Sequence, residues 1–418
     1  MTRIRRTSSL ILRLILILAL PLTAAAQTVR PEQVGLSSER LHRIDELIER
    51  YIEAGEISGA VTLVARNGRI AHLSAQGVMD LTSKKPMQTD TLFRIASMSK
   101  PVAGVAILML IEEGKIRLTD PVAKFLPGYD DLEVAVIKGE QAPGGFGAPP
   151  PDYYTVPAER PITVLDLLTH TSGLMSGRVS SSIAQPDFDS RHEKGLHWVD
   201  GLGAVPLEFQ PGSRWSYSAV GGFDVLSRIV EVVSGQTFQA FLNERIFGPL
   251  GMRDTTFWPS AAQRARLVTS YSRGNDGLEQ RANPDSMSGE IYFSGAGGLM
   301  TTAEDYAQFA MMLANGGELS GKRLLGTRTV ELMGSAFIPA TLPGRQPGEG
   351  YGLSVRVVTD PVARRTWLTK GSFGWSGAYG THFWVDPEKN LVGVLMIQTP
   401  ITALRGDFEN AVMQAVVD

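Results

Sequence analysis

The sequence predicts an α+β fold in which one antiparallel sheet, flanked by helices, is interrupted by a mainly helical insertion. Strand patterns occur near both ends of the chain, helical apolar spacing dominates the middle, and no internal repeat is found. The 418 residues are 43% hydrophobic and 20% charged, which supplies material for a sizeable core. This composition excludes a disordered or collagen-like chain.

The first 26 residues predict a cleaved export signal. Three arginines, Arg3, Arg5 and Arg6, precede an apolar run at 10–20, which is followed by Pro21 and by the small residues 24–26 that a signal peptidase accepts. The run is shorter than the roughly 20 residues that a membrane span needs, and Arg13 interrupts it. Without cysteine, a lipoprotein anchor is excluded. We expect cleavage near Ala26 and a periplasmic or secreted mature chain without a membrane anchor.

The mature chain opens with a predicted helix and a predicted hairpin. Apolar residues recur at helical spacing over 36–51, and Ser37 or Ser38 can cap the start of this helix. Two β-rich runs follow at 59–65 and 70–77, joined through Asn67-Gly68. Because Asn-Gly favours the tight turn of a hairpin, these two runs are predicted to pair.

The middle of the chain is predicted to be helical and rich in loops. Helical spacing covers 100–113, 164–168, 221–233, 238–246 and 303–314, the last with a cap at 301–305. Long surface loops are expected at 138–161, 176–194 and 272–290.

Strand patterns return at the far end of the chain. They cover 352–358, 367–369, 381–385 and 391–398, and a helix is predicted over 403–417. Joined with the first hairpin, these strands form the predicted sheet. The sequence thus predicts a sheet subdomain from 27–105 and 291–418 and a mainly helical subdomain over 106–290.

Composition excludes several functional classes. The formal charge is −3, and removing the arginines of the export signal makes the chain more acidic, so no nucleic-acid partner is expected. Without cysteine there is no thiolate metal site and no cysteine nucleophile. The six histidines show no metal-binding spacing. We therefore expect no metal and no organic cofactor.

Ser97-Met98-Ser99-Lys100 is the first candidate for chemistry. On a helix, Ser97 and Lys100 lie one turn apart on the same face, so the amine reaches the hydroxyl. A serine at a helix start also gains from oriented N–H groups. This arrangement suits a serine that forms an acyl-enzyme, but the spacing also occurs by chance.

Two further segments are candidates. Tyr217, in Trp215-Ser216-Tyr217-Ser218, is able to shuttle a proton, although a core tyrosine explains it equally well. The glycine-rich segment 374–381 allows close backbone approach, and an N–H there can complete an oxyanion hole. A β-bulge without a ligand is the alternative. No serine has the G-x-S-x-G pattern, which excludes an α/β-hydrolase.

Together these segments resemble the serine β-lactamase and penicillin-binding-protein superfamily. The chain is similar to class C β-lactamases and more closely to family VIII carboxylesterases. The resemblance covers nearly the whole mature chain through Phe93-Arg94-Ile95-Ala96-Ser97-Met98-Ser99-Lys100, Leu167-Leu168-Thr169-His170-Thr171-Ser172-Gly173-Leu174, Trp215-Ser216-Tyr217-Ser218, Pro249-Leu250-Gly251-Met252-Arg253-Asp254-Thr255 and Gly295-Ala296-Gly297-Gly298-Leu299. It implies a β-lactamase/transpeptidase-like fold with an all-helical subdomain and the active site between the two parts.

The resemblance also implies roles for single residues. Ser97 would be the acylated nucleophile, Lys100 its activating partner and Tyr217 the proton shuttle. The oxyanion hole would use the backbone N–H groups of Ser97 and Ala378, although an ungapped match places the second donor nearer Trp375. Trp375, Ser376 and Gly377 would form the substrate-binding motif, whereas His170 and Ser172 are left with structural roles.

Two departures from the lactamase pattern favour an esterase. Ala219 stands where lactamases and peptidases have an asparagine, and Trp375-Ser376-Gly377 replaces their Lys-Thr-Gly or His-Thr-Gly. The chain is therefore predicted to be a carboxylesterase for small or short-chain acyl esters.

Other functions stay open at this point. Lys370-Gly371-Ser372 would restore a cation in another register, which keeps a β-lactamase or a D-Ala-D-Ala peptidase or transacylase as the alternative. A non-catalytic cell-wall binding protein is the third hypothesis. The expected partner is a small ester, a β-lactam or a peptidoglycan peptide, and the oligomeric state stays open.

Overall fold

A computed structural model describes residues 28–139, 149–282, 284–339 and 341–418. The predicted export signal at 1–26 lies outside the described residues. In the ranges given above, no helix is both long and apolar enough to cross a membrane. The division into subdomains stays a prediction.

The strands of the described chain are, in order, β1 (Gly59–Arg66), β2 (Arg69–Gly77), β3 (Phe93–Arg94), β4 (Glu133–Ile137), β5 (Tyr153–Pro157), β6 (Tyr271–Arg273), β7 (Leu278–Gln280), β8 (Met300–Thr301), β9 (Glu318–Leu319), β10 (Lys322–Arg323), β11 (Glu349–Tyr351), β12 (Arg356–Val358), β13 (Phe373–Ser376), β14 (His382–Asp386) and β15 (Leu391–Met396). Seven of them form one antiparallel sheet in the order β11-β12-β13-β14-β15-β1-β2. The predicted α+β class is confirmed.

The α-helices are α1 (Ser38–Glu53), α2 (Ser99–Glu112), α3 (Val164–Leu168), α4 (Arg178–Ile183), α5 (Gln185–Asp189), α6 (Arg191–Lys194), α7 (Gly221–Ser234), α8 (Phe238–Leu242), α9 (Gly248–Leu250), α10 (Ala261–Arg264), α11 (Ala303–Ala314), α12 (Thr327–Met333), α13 (Pro361–Arg364) and α14 (Thr402–Met413). Short 3-10 turns, a longer 3-10 segment at Gly195–Ala204 and one π turn at Asn243–Phe247 lie between several of them.

The two faces of the sheet carry separate cores. On one face, β-strand residues such as Trp384 and Leu395 pack with α1 and α14. On the other face, Phe383 and Val394 join a larger core that includes α2, α7 and α11. Because side chains alternate along a strand, neighbouring residues of β13 face opposite cores. This alternation decides which of its residues reach the candidate site.

Local signals at the start of the chain give the predicted structure. Ser37 caps α1 by accepting a hydrogen bond from the Arg40 N–H. Asn67 and Gly68 form the two-residue turn between β1 and β2, and both have a positive φ, as the favoured hairpin turn requires.

Several elements differ from their predictions. Of the strand predicted at 352–358, only Arg356–Val358 is a strand, β12, and residues 352–355 form the connection from β11, in which Ser354 has a φ of +72°. No strand occurs at 367–369, where the Trp367 side chain is 73% exposed and so has no buried face to pair. The strand β13 lies instead in the glycine-rich segment that the sequence treated only as a catalytic motif.

The predicted loops also contain regular structure. The described part of 138–161 contributes β5, residues 176–194 form α4, α5 and α6, and residues 272–290 contain β7. These elements are too short to show a clear hydrophobic period, so the sequence pattern does not reveal them. Residues 140–148 of the first loop lie outside the described residues.

Candidate active site

Ser97 lies in a short 3-10 turn, Ala96–Met98, between β3 and α2. Ala96, directly before it, has a φ of +43°, which is a strained value for a residue with a Cβ atom. The turn is held from two sides, because Tyr306 donates a hydrogen bond to the Met98 carbonyl and Ser99 accepts one from the Leu299 N–H. The half-buried hydroxyl of Ser97 is therefore fixed at the start of α2.

Lys100 lies one helical turn after Ser97 and is fully buried. Its Nζ atom donates to the carbonyl oxygens of Ala219 at 2.6 Å and Ala296 at 2.8 Å, and it lies 3.4 Å from the Ser97 Oγ. A neutral amine has two N–H groups and one lone pair. With both N–H groups bound to carbonyls, the lone pair of such an amine faces the serine hydroxyl.

The lysine has a partner that the sequence did not predict. The absence of an asparagine at position 219 suggested that Lys100 had lost a hydrogen bond, but the backbone carbonyl of Ala219 fills this role. A backbone atom serves here because the loop before α7 passes directly over the amine. No side-chain pattern signals this contact.

The second carbonyl partner is positioned by Asp224, which sequence reasoning also missed. This buried carboxylate accepts hydrogen bonds from the Ala296 N–H and from the side chains of Trp198, Tyr292 and Ser294. Burial raises the pKa of Asp224, although these four donors oppose the shift. The one available signal was an acid within the apolar run of α7.

Tyr217 is the second side chain that reaches the serine. Its hydroxyl donates to the Ser97 Oγ at 2.7 Å, and the Lys100 Nζ lies 5.0 Å from the centre of its ring. The buried His170 holds this loop, because its carbonyl accepts from the Ser216 N–H and its Nδ1 atom accepts from the Ser218 N–H. The structure thus brings Ser97, Lys100 and Tyr217 together.

His170 stays neutral in this environment. Burial, and next the positive charge of Lys100, lower the pKa of its imidazole well below the usual value. Since Nδ1 accepts a hydrogen bond, the proton resides on Nε2. His170 therefore shapes the loop rather than adding a charge to the site.

The turn after β13 packs against the segment that directly precedes Ser97. The Gly377 N–H donates to the Thr381 carbonyl, and the Thr381 hydroxyl donates to the Ile95 carbonyl two residues before Ser97. A Cβ atom on Gly377 would collide with that same carbonyl, so only glycine permits this approach. Among the described residues, the Ala378 N–H has no protein acceptor.

The opposite end of the same peptide unit is bound from behind. Arg405 of α14 donates a hydrogen bond from Nη2 to the Gly377 carbonyl at 3.2 Å. In a trans peptide, the C=O of Gly377 and the N–H of Ala378 point in opposite directions. Arg405, together with the Gly380 N–H that donates to the same carbonyl at 3.0 Å, thereby fixes the direction of the Ala378 N–H.

Trp375 and Ser376 separate onto the two faces of β13. The Trp375 ring lies 5.6 Å from the Tyr217 ring, which places it beside the candidate site. Ser376 instead hydrogen-bonds the Nδ1 atom of His382 at 2.8 Å, on the face covered by α14. Because of strand alternation, the Ser376 side chain thus lies on the opposite face of β13 from Trp375, and its predicted role in substrate binding stays a prediction.

Lys370 does not replace the missing cation. It is exposed in the turn that precedes β13, five residues before Trp375. Such a separation corresponds to roughly 15 Å along an extended chain. Of the two registers, the one with Trp375-Ser376-Gly377 is the one next to Tyr217.

An open cavity of about 250 Å³ adjoins Trp375. Trp215, Tyr351 and Ile338 give it apolar walls, and Arg345 and Arg356 also line it. It is large enough for a small acyl or alcohol group. Within the described ranges, no group of three histidine or acidic side chains is placed to hold a metal ion.

Comparisons with known proteins agree with this architecture. The family model described as Beta-lactamase matches residues 44–417. Protein Rv1367c of Mycobacterium tuberculosis is 36% identical over 84% of this chain and 88% of its own length. Esterase EstB of Burkholderia gladioli is 30% identical over 94% of this chain and 99% of its own length.

A solved structure agrees as well. EstCE1, described as a hydrolase with promiscuous acyltransferase activity, superposes with a TM-score of 0.76 at 26% identity, covering 91% of this chain and 99% of its own. Other matched relatives are named as putative D-alanyl-D-alanine carboxypeptidases. The relatives thus include esterases and peptidases.

Proposed function

The chain belongs to the Beta-lactamase family, a family of hydrolases with esterases among them, and we propose that it is a serine carboxylesterase for small acyl esters. The predicted family and the β-lactamase/transpeptidase-like fold are confirmed. One observation carries the proposal: the Ser97 Oγ lies 2.7 Å from the Tyr217 hydroxyl and 3.4 Å from the Lys100 amine.

In the acylation step, the Ser97 Oγ attacks the ester carbonyl carbon. Its proton passes to the Tyr217–Lys100 pair, both of which lie within reach of the hydroxyl. The negative charge that develops on the carbonyl oxygen is stabilised by the N–H groups of Ser97 and Ala378. When the tetrahedral intermediate collapses, the alcohol leaves with the proton and the acyl group stays on Ser97.

In the deacylation step, water replaces the alcohol. The Tyr217–Lys100 pair accepts a proton from water, which attacks the acyl carbon. Collapse of the second tetrahedral intermediate releases the carboxylic acid and returns the proton to Ser97. The same oxyanion donors serve both steps, and the chemistry calls for no metal or organic cofactor.

The surroundings of the serine support an ester rather than a β-lactam. Trp375 offers an aromatic face where lactamases place a cation for the substrate carboxylate. Ala219 contributes only its carbonyl, and this is already bound to Lys100. The relative EstB, named an esterase, spans nearly the same length as this chain.

A peptidase or β-lactamase is the second candidate, because of Arg356. This arginine lines the cavity beside Trp375 and offers a cation to a substrate carboxylate. The same Ser97, Lys100 and Tyr217 would then form an acyl-enzyme with a β-lactam or a D-Ala-D-Ala peptide. Some relatives carry a peptidase name.

The test compares two substrates on one preparation of the mature chain. Turnover of p-nitrophenyl butyrate and of a chromogenic cephalosporin is measured side by side, with Ser97→Ala as the control. We expect faster ester turnover. Faster cephalosporin turnover would reject the esterase, and equal ester turnover by Ser97→Ala would reject the mechanism.

We also propose export of the chain with cleavage near Ala26, as its first residues predict. The small-molecule ester would then be met outside the cytoplasm. Mass spectrometry of the protein purified from a periplasmic or medium fraction tests this proposal, and an intact N-terminus would refute it.

A further inference from the structure

A second cavity lies behind β13, on the face of the sheet that α14 covers. It measures about 330 Å³, and four arginines line it: Arg356, Arg364, Arg365 and Arg405. Ser376, His382 and Glu409 form the rest of its polar wall. The proposed esterase mechanism uses none of these side chains except Arg405, which acts through the backbone of Gly377.

Positive charge exceeds negative charge around this cavity. The carboxylates that face the four arginines are Glu349, which pairs with Arg364, and Glu409, which lies 3.7 Å from Arg356. Burial lowers the pKa of His382, so its imidazole adds no charge at neutral pH. The cavity therefore carries an excess of two positive charges.

The arginines also leave donors unused. Within the described residues, the guanidinium groups of Arg356 and Arg365 make no hydrogen bond, and the two carboxylates nearest to Arg356 lie 3.7 Å away. By contrast, the guanidinium group of the buried Arg66 donates to three backbone carbonyls and to Asp418. The Arg356 and Arg365 side chains, which are 21% exposed and exposed respectively, thus keep donors that a bound anion is able to accept.

We propose that this arginine cavity binds a doubly charged phosphate group, free or as a monoester. Two negative charges balance the excess charge, and phosphate oxygens match the forked donors of guanidinium groups. Trp367, which is 73% exposed at the edge of the cavity, offers a ring surface to the organic part of a monoester. This proposal does not depend on the esterase activity.

The test is calorimetric titration of the full mature chain at pH 8 and constant ionic strength. Inorganic phosphate, phenyl phosphate and acetate are titrated separately. We expect one phosphate or phenyl phosphate per chain, bound at least about tenfold more tightly than acetate, because acetate leaves one positive charge unpaired.

Two variants locate the binding. Arg365→Asn removes an exposed arginine from a turn where its φ of +58° suits asparagine, so folding is preserved. It should weaken phosphate binding about tenfold. Arg328→Gln, on α12 outside both cavities, is the matched control and should bind as the wild type does.

The outcomes are distinct. Tighter binding of phenyl phosphate, lost in Trp367→Ala, identifies a phosphomonoester, and equal binding of both identifies free phosphate. No heat of binding, or equal affinities of the wild type and Arg365→Asn, overturns the proposal. Ester turnover measured on the same sample stays a separate result, so failure here does not affect the proposed esterase.

Discussion

The two faces of β13 hold positive charge in different ways. On the Trp375 face, the buried Lys100 amine is bound only by neutral carbonyl oxygens and by the serine hydroxyl. On the Ser376 face, arginines lie among the carboxylates of Glu349 and Glu409. The same strand therefore separates an amine held by neutral oxygens from a cluster of arginines and carboxylates, and Arg356 lines the cavities on both sides.

The different partners of the positive charges decide whether a group on each side of β13 is able to exchange a proton. Carbonyl acceptors bind an amine in either protonation state, so Lys100 is able to exchange a proton with Ser97. Guanidinium groups keep their proton, and the carboxylates near them stay ionised. Burial alone would raise the pKa of Glu409, but the hydrogen bond from His382 and the arginine charges lower it to about 2. One face suits proton transfer, and the other suits binding of an anion.

The largest effect is expected on ester turnover, when the nucleophile on the Trp375 side of β13 is removed. Ser97→Ala should lower ester turnover by about 10⁴-fold or more, because no other group is placed to form the acyl-enzyme. The matched variant Ser376→Ala changes a serine on the opposite face and should lower turnover by less than about tenfold. Steady-state assays on p-nitrophenyl butyrate measure both. Similar losses of turnover in the two variants would contradict the conclusion that the reaction takes place only on the Trp375 side of β13.

The second prediction tests the amine. Lys100→Met should lower kcat roughly 10³-fold, because it removes a proton acceptor from the Ser97 Oγ. Circular dichroism checks that the variant folds. Lys370→Met, in the exposed turn before β13, should keep wild-type turnover. A large loss of turnover in Lys370→Met would instead favour Lys370-Gly371-Ser372 as the substrate-binding motif.

The third prediction concerns the charged face and pH. The folded-state pKa of Glu409 is about 2, below its ordinary value of 4.5. Its contribution is therefore complete above pH 4.5 and is lost as pH falls toward 2. Glu409→Gln should lower the free energy of unfolding on the order of 2 kcal/mol at pH 7, and by less at pH 3.

Urea unfolding of the wild type and Glu409→Gln at both pH values measures this difference. Burial also lowers the pKa of His382 in the folded chain. Below pH 6.5 the unfolded chain therefore binds a proton at this imidazole more readily, which lowers the free energy of unfolding as pH falls, as the loss of Glu409 ionisation does. A constant difference between the two proteins would show that Glu409 is not ionised through its native contacts.

The smallest effect on turnover is expected for Arg405, which lies behind β13 but contacts the peptide unit that carries the proposed oxyanion donor. Arg405→Met should lower kcat about tenfold with little change in KM, because the Gly377 carbonyl then keeps only the Gly380 N–H as a donor and the Gly377–Ala378 peptide unit is held less firmly. Arg405→Lys should restore part of the activity, since an ammonium can still donate to the Gly377 carbonyl. A change confined to KM would mean that Arg405 acts on substrate binding instead.

Much of the fold was predictable from local patterns. The period of α1, the Asn67-Gly68 turn and the apolar run of β15 give these elements nearly at their observed bounds. The strand β13 was not predictable, because glycines weaken its pattern and its pairing with β12 and β14 supplies the missing stability. The short helices over 178–194 were not predicted either, because each is too short to show a helical hydrophobic period.

The same division holds for the candidate site. The helical spacing of Ser97 and Lys100 and the family motifs identified the residues that the structure brings together. The sequence did not identify Asp224, Arg405 or the Ala219 carbonyl as part of the site, because each acts through a contact between segments far apart in the chain. The sequence also did not indicate on which face of β13 Ser376 lies, since this depends on the register of the whole sheet.

The sequence by itself determined the family, the type of nucleophile and the order of the main elements. These follow from residue identity and from contacts within one turn of a helix or one hairpin, which short-range sterics and hydrogen bonding specify. Tertiary structure alone decided the partners of Lys100, the orientation of the Ala378 N–H and the meeting of four arginines behind β13. These features join segments that are as far as 196 residues apart in the chain, and only the packing of the two cores against the sheet brings them together.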